Sequence, residues 1–119
     1  MIDQTVIDTD ALGNLLEIAG GDDEFVNELI RTYAEDGAAQ VERLRVAAAA
    51  GDTPALVIGA HSLKTSSLNV GATVVAELSR VLEEGARAGS VTEAPARVEA
   101  IASAFDEARA ALFALRGLA

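Results

Sequence analysis

The sequence predicts an all-α protein, an antiparallel up-down-up-down four-helix bundle with a short additional N-terminal helix. Half of the residues are hydrophobic but only 3% are aromatic, so the core must consist of small aliphatic side chains. Such a core suits closely spaced helices better than strands, which favour aromatic and β-branched residues. Glycine and proline also divide the chain into segments of helical length. The 119 residues have room for one domain, which we assign to residues 1–119.

The predicted elements follow from these breaks in chain order. A short first helix begins near Asp8 or Thr9, either of which can cap it, and its apolar side consists of Leu12, Leu15 and Leu16. Four longer helices follow at about 22–50, 53–69, 72–88 and 93–116. The strong breaks around them are Gly20–Gly21, Gly51–Asp52, Gly71 and Gly89–Ser90. Connections of only two to four residues force neighbouring helices to run antiparallel.

Apolar stripes at helical spacing indicate which face of each helix is buried. In the helix at 22–50 the stripe is Val26, Ile30, Tyr33, Gly37, Val41, Leu44 and Ala48. In the helix at 93–116 it is Ala94, Val98, Ile101, Phe105, Ala108, Leu112 and Leu115. In the helix at 72–88 it is Val74 or Val75, Leu78, Val81 or Leu82, and Gly85. Gly37 interrupts its stripe, so it marks either a kink or a close approach of two helices.

Charge and residue usage exclude several functions. Lys and Arg total 9 against 19 Asp and Glu, a net charge of −10, which argues against binding to nucleic acid or an anionic membrane. The chain has no cysteine, which excludes a disulfide framework, a thiolate metal site and a cysteine nucleophile. It has one histidine, so any chemistry that needs an imidazole depends on His61.

The ends and hydropathy of the chain bear on its location. Residues 1–4 carry neither a basic region nor an apolar one, so we expect no secretory signal. No apolar run approaches the roughly 20 residues that span a bilayer. We therefore expect a cytoplasmic protein, or an excised domain of one.

A helical wheel predicts where His61 points. The expected core stripe of its helix is Leu56, Ala60, Leu63, Ser67 and Val70, on the side of the helix away from His61. The residues on the side of His61 are Pro54, Val57, Ile58, Lys64, Thr65 and Leu68. His61 should therefore project outward, into a patch that combines apolar residues with one lysine. Exposed apolar patches often mark partner sites.

This arrangement favours phosphoryl chemistry. Imidazole has an unperturbed pKa of about 6.5, so its neutral nucleophilic form is abundant at neutral pH without a dedicated base. An exposed histidine can attack a phosphoryl group and hold it covalently. Phosphoryl transfer otherwise needs positioning and nearby cations, and Lys64 lies one helical turn from His61.

The stretch His61-Ser62-Leu63-Lys64-Thr65-Ser66-Ser67, followed by Gly71-Ala72, resembles the histidine phosphotransfer (HPt) domain motif H-x-L-K-G-S-S-x-x-x-G-A. The segment from Gly21 to Leu29 is similar to the family's G-D-x-E-F-x-x-E-L opening of its second helix. Ala50-Gly51-Asp52 and Leu82-Glu83 also fall where that family has such residues. The resemblance covers about residues 12–90, and the last helix matches by pattern only.

The resemblance implies a phosphocarrier in a two-component phosphorelay, not an enzyme. His61 would accept a phosphoryl group from a receiver-domain aspartate and pass it to another receiver, with Lys64 helping to neutralise its charge. The implied partners are response-regulator receiver domains, a hybrid histidine kinase, or both. The implied divalent metal belongs to the receiver, so we expect no metal site or cofactor on this chain. We also expect a monomer, because four helices can close their own core.

The expected docking surface for the partner is Val57, Ile58, Thr65 and Leu68, and the resemblance adds Leu12, Leu15 and Leu16 of the first helix. The alternative for these three leucines is a cap over the end of the bundle. Thr65 stands where the motif usually has glycine, so it adds a β-branched side chain beside the nucleophile. Its hydroxyl can instead bond to the carbonyl of His61, as mid-helix threonines often do.

Other polar clusters have simpler interpretations. Ser62, Ser66 and Ser67 lack a second histidine or an acid that would form a triad, so we expect them to ease packing and face solvent. The acids at 22–24 should cap a helix and complement its dipole. Glu83 and Glu84 are expected on a solvated face. The alternative to a phosphocarrier is a helical-bundle adaptor that docks a receiver or another partner without becoming phosphorylated.

Overall fold

The computed structural model describes residues 6–89 and 91–118. Residues 1–5, where we expected no secretory signal, and Ser90, placed in a predicted break, lie outside them. The described residues form five helices: α1 (Thr9–Ile18), α2 (Asp23–Ala50), α3 (Thr53–Val70), α4 (Thr73–Arg87) and α5 (Ala94–Arg116). The predicted boundaries are confirmed to within two residues. No helix in the described ranges is long and apolar enough to cross a membrane.

Side-chain caps and glycines explain where the helices begin and end. The Asp8 carboxylate accepts from the backbone N–H groups of the first turn of α1, which makes Asp8 its N-cap. Asp22 and Asp52 cap α2 and α3 in the same way. Gly51 and Gly71 end α2 and α3 in left-handed conformations (φ 65° and 79°), which cost glycine little.

The four long helices form a closed ring in which α2 packs against α3 and α5, and α4 packs against α3 and α5. Links of two residues join α2 to α3 and α3 to α4, so these neighbours run antiparallel. The α4–α5 connection takes residues 88–93, which is longer than the predicted two to four. α1 packs against α2 and α3, and the Asp8 N–H donates to the Gly71 carbonyl at 2.6 Å. The predicted four-helix bundle with an extra N-terminal helix is confirmed.

The core lies along the predicted stripes of α2 and α5. Every stripe residue of α2 is buried, and on α5 the stripe is buried from Val98 to Leu112, while Leu115 is 50% exposed. Gly37 marks a close approach, because a Cβ added there would lie 2.3 Å from Cε1 of Phe105. The Phe105 ring also packs on Tyr33, with the ring centroids 5.4 Å apart.

The predicted stripe of α4 is confirmed at Val75 and Leu82, but the buried face as a whole lies about one residue further along the helix. Its buried residues are Val75, Ala76, Ser79, Leu82, Glu83 and Ala86. Leu78 and Gly85, predicted to be buried, are only half-buried. The adjacent apolar pairs in this helix are compatible with two different buried faces. The face that is observed turns small alanine and serine side chains inward, where α3 and α5 pack against α4. This rotation carries Glu83 into the interface with α3.

Candidate functional site

His61 projects outward from α3, as the wheel predicts. Its side chain is 55% exposed. The predicted core stripe on the other side of the helix is buried throughout: Leu56, Ala60, Leu63, Ser67 and Val70. The apolar face of α3 therefore anchors the helix to the bundle and fixes the direction of the imidazole.

A buried carboxylate from α4 lies beside the imidazole. Glu83 is 5% exposed, and its Oε2 lies 3.0 Å from Nδ1 of His61. Its Oε1 lies 2.7 Å from Nζ of Lys64, one turn along α3. Oε2 also accepts from Nε and Nη2 of Arg87 at 3.0 and 2.8 Å. One carboxylate thus binds the histidine and two cations at once.

This environment settles the charge of Glu83. The bond with Lys64, followed by those with Arg87 and His61, lowers the pKa of Glu83 from 4.5 to about 2, although burial opposes the shift. Glu83 is therefore ionised at neutral pH and can only accept hydrogen bonds.

The tautomer of the neutral imidazole follows from that charge. Because a carboxylate accepts, Nδ1 of His61 must donate to Glu83, so Nδ1 carries the ring proton and Nε2 carries the lone pair. Within the described residues, Nε2 has no hydrogen-bond partner. The available nucleophilic atom is Nε2.

Glu83 and Arg87 are the site residues that the sequence prediction missed. The expected solvated face holds for Glu84, which is exposed, but is wrong for Glu83. The reason is the register of α4, which points Glu83 at α3. The available signals were the family resemblance of Leu82-Glu83 and the apolar pair Val81-Leu82 before the acid, and using them required a choice between two stripes.

The predicted docking residues of α3 lie around His61. Ile58 is 71% exposed and Leu68 is 55% exposed, while Val57 is half-buried. A shallow hollow beside the imidazole is lined by Val57, Ile58, His61, Ser62, Thr65, Ser66, Asn69 and Arg87. We call Val57, Ile58, Thr65 and Leu68 the docking face.

The leucines of α1 divide between the two predicted roles. Leu12 is only 9% exposed and belongs to the core, so its predicted part in docking is wrong. The cause is the packing of α1 on α2 and α3, which turns Leu12 inward as a cap over the bundle end. Leu15 and Leu16 are half-buried, and Leu15 lines a groove that meets the hollow at Ser62 and Ser66. Docking through these two stays a prediction.

The hydroxyl groups near His61 bond within the bundle. Oγ1 of Thr65 donates to the His61 carbonyl at 3.1 Å, which confirms the expected back-bond. Ser66 donates to the Leu63 carbonyl, while Ser62 is exposed, as expected. Ser67 is fully buried, as its place in the predicted core stripe requires and unlike the expectation that all three serines face solvent, and its Oγ lies 2.8 Å from the Tyr33 hydroxyl. That bond satisfies two polar groups inside the core.

Within the described ranges, no three His, Asp or Glu side chains are grouped so that they could hold a metal ion. The acids at the start of α2 act as predicted, with Asp22 as the N-cap. Four side chains meet where α3 and α4 pack, and we call them the His61 cluster: His61, Lys64, Glu83 and Arg87.

An exposed histidine with a fixed tautomer and adjacent cations, carried on a four-helix bundle, defines the class of a histidine phosphotransfer domain. The Hpt domain family model matches residues 28–111, so the chain belongs to this family. The chain is similar to the crystal structure of histidine-containing phosphotransfer protein B (HptB) from Pseudomonas aeruginosa PAO1, with 31% sequence identity and a TM-score of 0.88 over 97% of each chain. No curated protein matches the sequence. The chain has a histidine phosphotransfer role in a phosphorelay, and proteins of this family are phosphocarriers that interact with receiver domains and kinases.

Proposed function

We propose that His61 is the residue that carries the phosphoryl group, received from the aspartyl phosphate of a receiver domain and passed to a second receiver. The observation that carries this proposal is the bond of 3.0 Å between Nδ1 of His61 and the buried Glu83 carboxylate. It leaves the lone pair on Nε2 of an imidazole whose side chain is 55% exposed. His61 is also the only histidine in the sequence.

The proposed step needs no proton transfer. The Nε2 lone pair attacks phosphorus, an N–P bond forms, and the P–O bond to the receiver aspartate breaks, so that its carboxylate leaves with the electron pair. Nδ1 keeps its proton throughout, and the ring gains a positive charge. Glu83, ionised and bound to Nδ1, stabilises that charge, as a carboxylate does for the histidine of a catalytic triad.

Lys64 is proposed to neutralise the phosphoryl group. Its side chain is 25% exposed and its Nζ lies 2.7 Å from Oε1 of Glu83, which holds the ammonium group beside the imidazole. When Lys64 turns toward a phosphoryl oxygen, Glu83 keeps His61 and Arg87 as partners on its other oxygen. The carboxylate is therefore not left buried without a counter-charge.

The docking face is proposed to bind the receiver. Ile58 and Leu68 expose apolar side chains on either side of His61 along α3, a pattern that fits a partner whose own site must close over the nucleophile. Leu15 and Leu16 would extend the contact from α1. The divalent metal is proposed to belong to the receiver, with no cofactor on this chain. A monomeric state and a cytoplasmic location stay predictions.

The test is phosphotransfer from a phosphorylated receiver domain to the full chain. We expect phosphate that is labile in acid and stable in alkali, as a phosphoramidate is, and we expect His61→Gln to abolish it. Ser103→Ala is the matched control, since it removes an exposed hydroxyl from α5, which does not pack against α3 in the described residues, and should label normally. Label that survives His61→Gln would refute the assignment of the site. A native chain that binds several receivers but takes no label from them would favour the adaptor.

A further inference from the structure

We propose that Arg87 is a second phosphoryl-binding cation, whose free guanidinium donors contact the phosphoryl group once it is on His61. The inference rests on the proposed function, because it assumes that His61 carries the group. Arg87 lies on α4, four residues after Glu83, and lines the same hollow as His61. It acts on the product of the transfer, so its effect is separable from docking.

The donors of Arg87 are only partly used. A guanidinium has five N–H donors. Arg87 gives Nε–H and one Nη2–H to Oε2 of Glu83, and it has no other partner within the described residues. Its side chain is 58% exposed, so the remaining donors are open to a ligand. Arg80, seven residues earlier on α4, instead uses all three of its nitrogens on Glu77 and Glu84.

The position of Arg87 complements that of Lys64. Because α3 and α4 are antiparallel, residues that follow Glu83 on α4 lie toward the N-terminal end of α3. Arg87 accordingly shares its hollow with Val57 and Ile58, which precede His61. Lys64 follows His61 on α3. The two cations therefore approach the imidazole from opposite directions along the helix, which suits a group with three terminal oxygens.

Charge balance in the His61 cluster also requires Arg87. Before transfer, the two cations face one carboxylate, which leaves one excess positive charge beside a neutral imidazole. A phosphoryl group brings about two negative charges, and an imidazole that keeps its Nδ1 proton gains one positive charge. The formal charges of the phosphorylated cluster then cancel. Without Arg87 the cluster would carry a net negative charge, in a chain that already carries −10.

The experiment measures the equilibrium of phosphoryl transfer between the full chain and one receiver, at concentrations where the two proteins are not in complex. Under this condition the ratio of phosphorylated species depends on the stability of each phosphorylated form and not on docking affinity. We expect Arg87→Gln to lower the equilibrium constant toward the chain about threefold to fivefold, the upper part of the range for an exposed charge contact. Arg87→Lys keeps the charge and should recover most of the loss.

Two further variants make the result specific. Arg80→Gln removes the same charge from the same helix away from His61, and it should leave the equilibrium constant unchanged. In the Glu83→Gln background Arg87 has no carboxylate to neutralise, and Arg87→Gln should still lower the constant. An effect that disappears in that background would mean that Arg87 acts through Glu83, and would overturn direct contact.

The remaining outcomes separate this proposal from the one on which it rests. Suppose that the native chain is labelled at His61 and that the equilibrium constant of Arg87→Gln stays within twofold of the native value. The role of Arg87 is then refuted, while the proposed function stands. An equal loss in Arg80→Gln would refute it too, since the effect would then be a general one of surface charge. If the native chain takes no label, or His61→Gln still labels, the proposed function itself fails.

Discussion

Replacing Glu83 with glutamine tests the electrostatic core of the His61 cluster. Glu83→Gln keeps the size and planarity of the side chain and removes the charge that His61, Lys64 and Arg87 share. We expect the variant to fold and to have a lower free energy of unfolding at neutral pH. The tautomer of His61 should also be freed, because a glutamine amide can either accept from Nδ1 or donate to it.

The magnitude follows from the pKa of Glu83, which lies at about 2 instead of 4.5. Each unit of pKa difference corresponds to about 1.4 kcal/mol, so the full shift sets an upper bound of about 3 kcal/mol. The carboxylate itself is buried, but the side chains of His61 and Arg87 are 55% and 58% exposed, so water screens part of the attraction. We therefore expect a loss of about 1–2 kcal/mol for Glu83→Gln at neutral pH.

The pH dependence has a definite sign. The pKa of Glu83 is lower in the folded state than in the unfolded state, so its contribution is fully present above the unfolded value of 4.5 and disappears as the pH falls toward 2. Urea unfolding followed by far-UV circular dichroism, at neutral pH and at steps below 4.5, measures this contribution. The gap in unfolding free energy between the native chain and the variant should close over that range.

A neighbouring acid provides the control. Glu84→Gln changes an exposed carboxylate whose ion pair is with Arg80, and it should alter stability by less than about 0.5 kcal/mol. A Glu83→Gln gap that stays constant with pH would refute the electrostatic reasoning, since the cost would then come from packing. No loss at neutral pH would refute it equally.

Three other substitutions, one of them a control, test the packing and the docking face. Gly37→Ala should destabilise the bundle by about 1–3 kcal/mol despite its better helix propensity, because the new Cβ would lie 2.3 Å from the buried ring of Phe105. A Cβ added at Gly13 on α1 would have no atom within 4 Å, so Gly13→Ala should be neutral or stabilising. Thermal unfolding of both variants measures the two effects. Thr65→Gly should keep phosphoacceptance by His61 and change receiver affinity, measured by titration calorimetry. If neither transfer rate nor affinity changes, Thr65 is a bystander.

The sequence was sufficient to predict most of the fold, because α2 and α5 each carry an unambiguous stripe. Residues such as Ile30 and Ile101 recur at spacings that fit one helical face only, and both are fully buried. α4 could not be placed in the same way, since Val74-Val75 and Val81-Leu82 satisfy two faces about 100° apart. Only packing against α3 and α5 decides between them.

The need to know how helices pack also decides which residues of the site the sequence could predict. His61 and Lys64 share one helix, so their relation follows from the helical period alone. Glu83 and Arg87 reach them from α4, and that contact depends on the register between two helices, which no spacing within one segment contains. The one local sign was Glu83 itself, a carboxylate after the apolar pair Val81-Leu82 at a position where the resembled family has such a residue. It became interpretable only when the fold placed it against His61.

The distribution of basic residues supports a functional reason for the His61 cluster over a structural one. Among the described residues, most ion pairs have both partners exposed, such as that of Arg31 with Glu28, and such pairs add little stability. The single lysine of this acidic sequence lies one turn from its single histidine, and Arg87 joins them across the helix interface. Glu83 occupies a core position where an apolar side chain would pack without the cost of burying a charge. Glu83 is a buried anion that holds two cations beside an exposed imidazole. Binding of a phosphoryl group therefore explains this arrangement better than the stability of the bundle does.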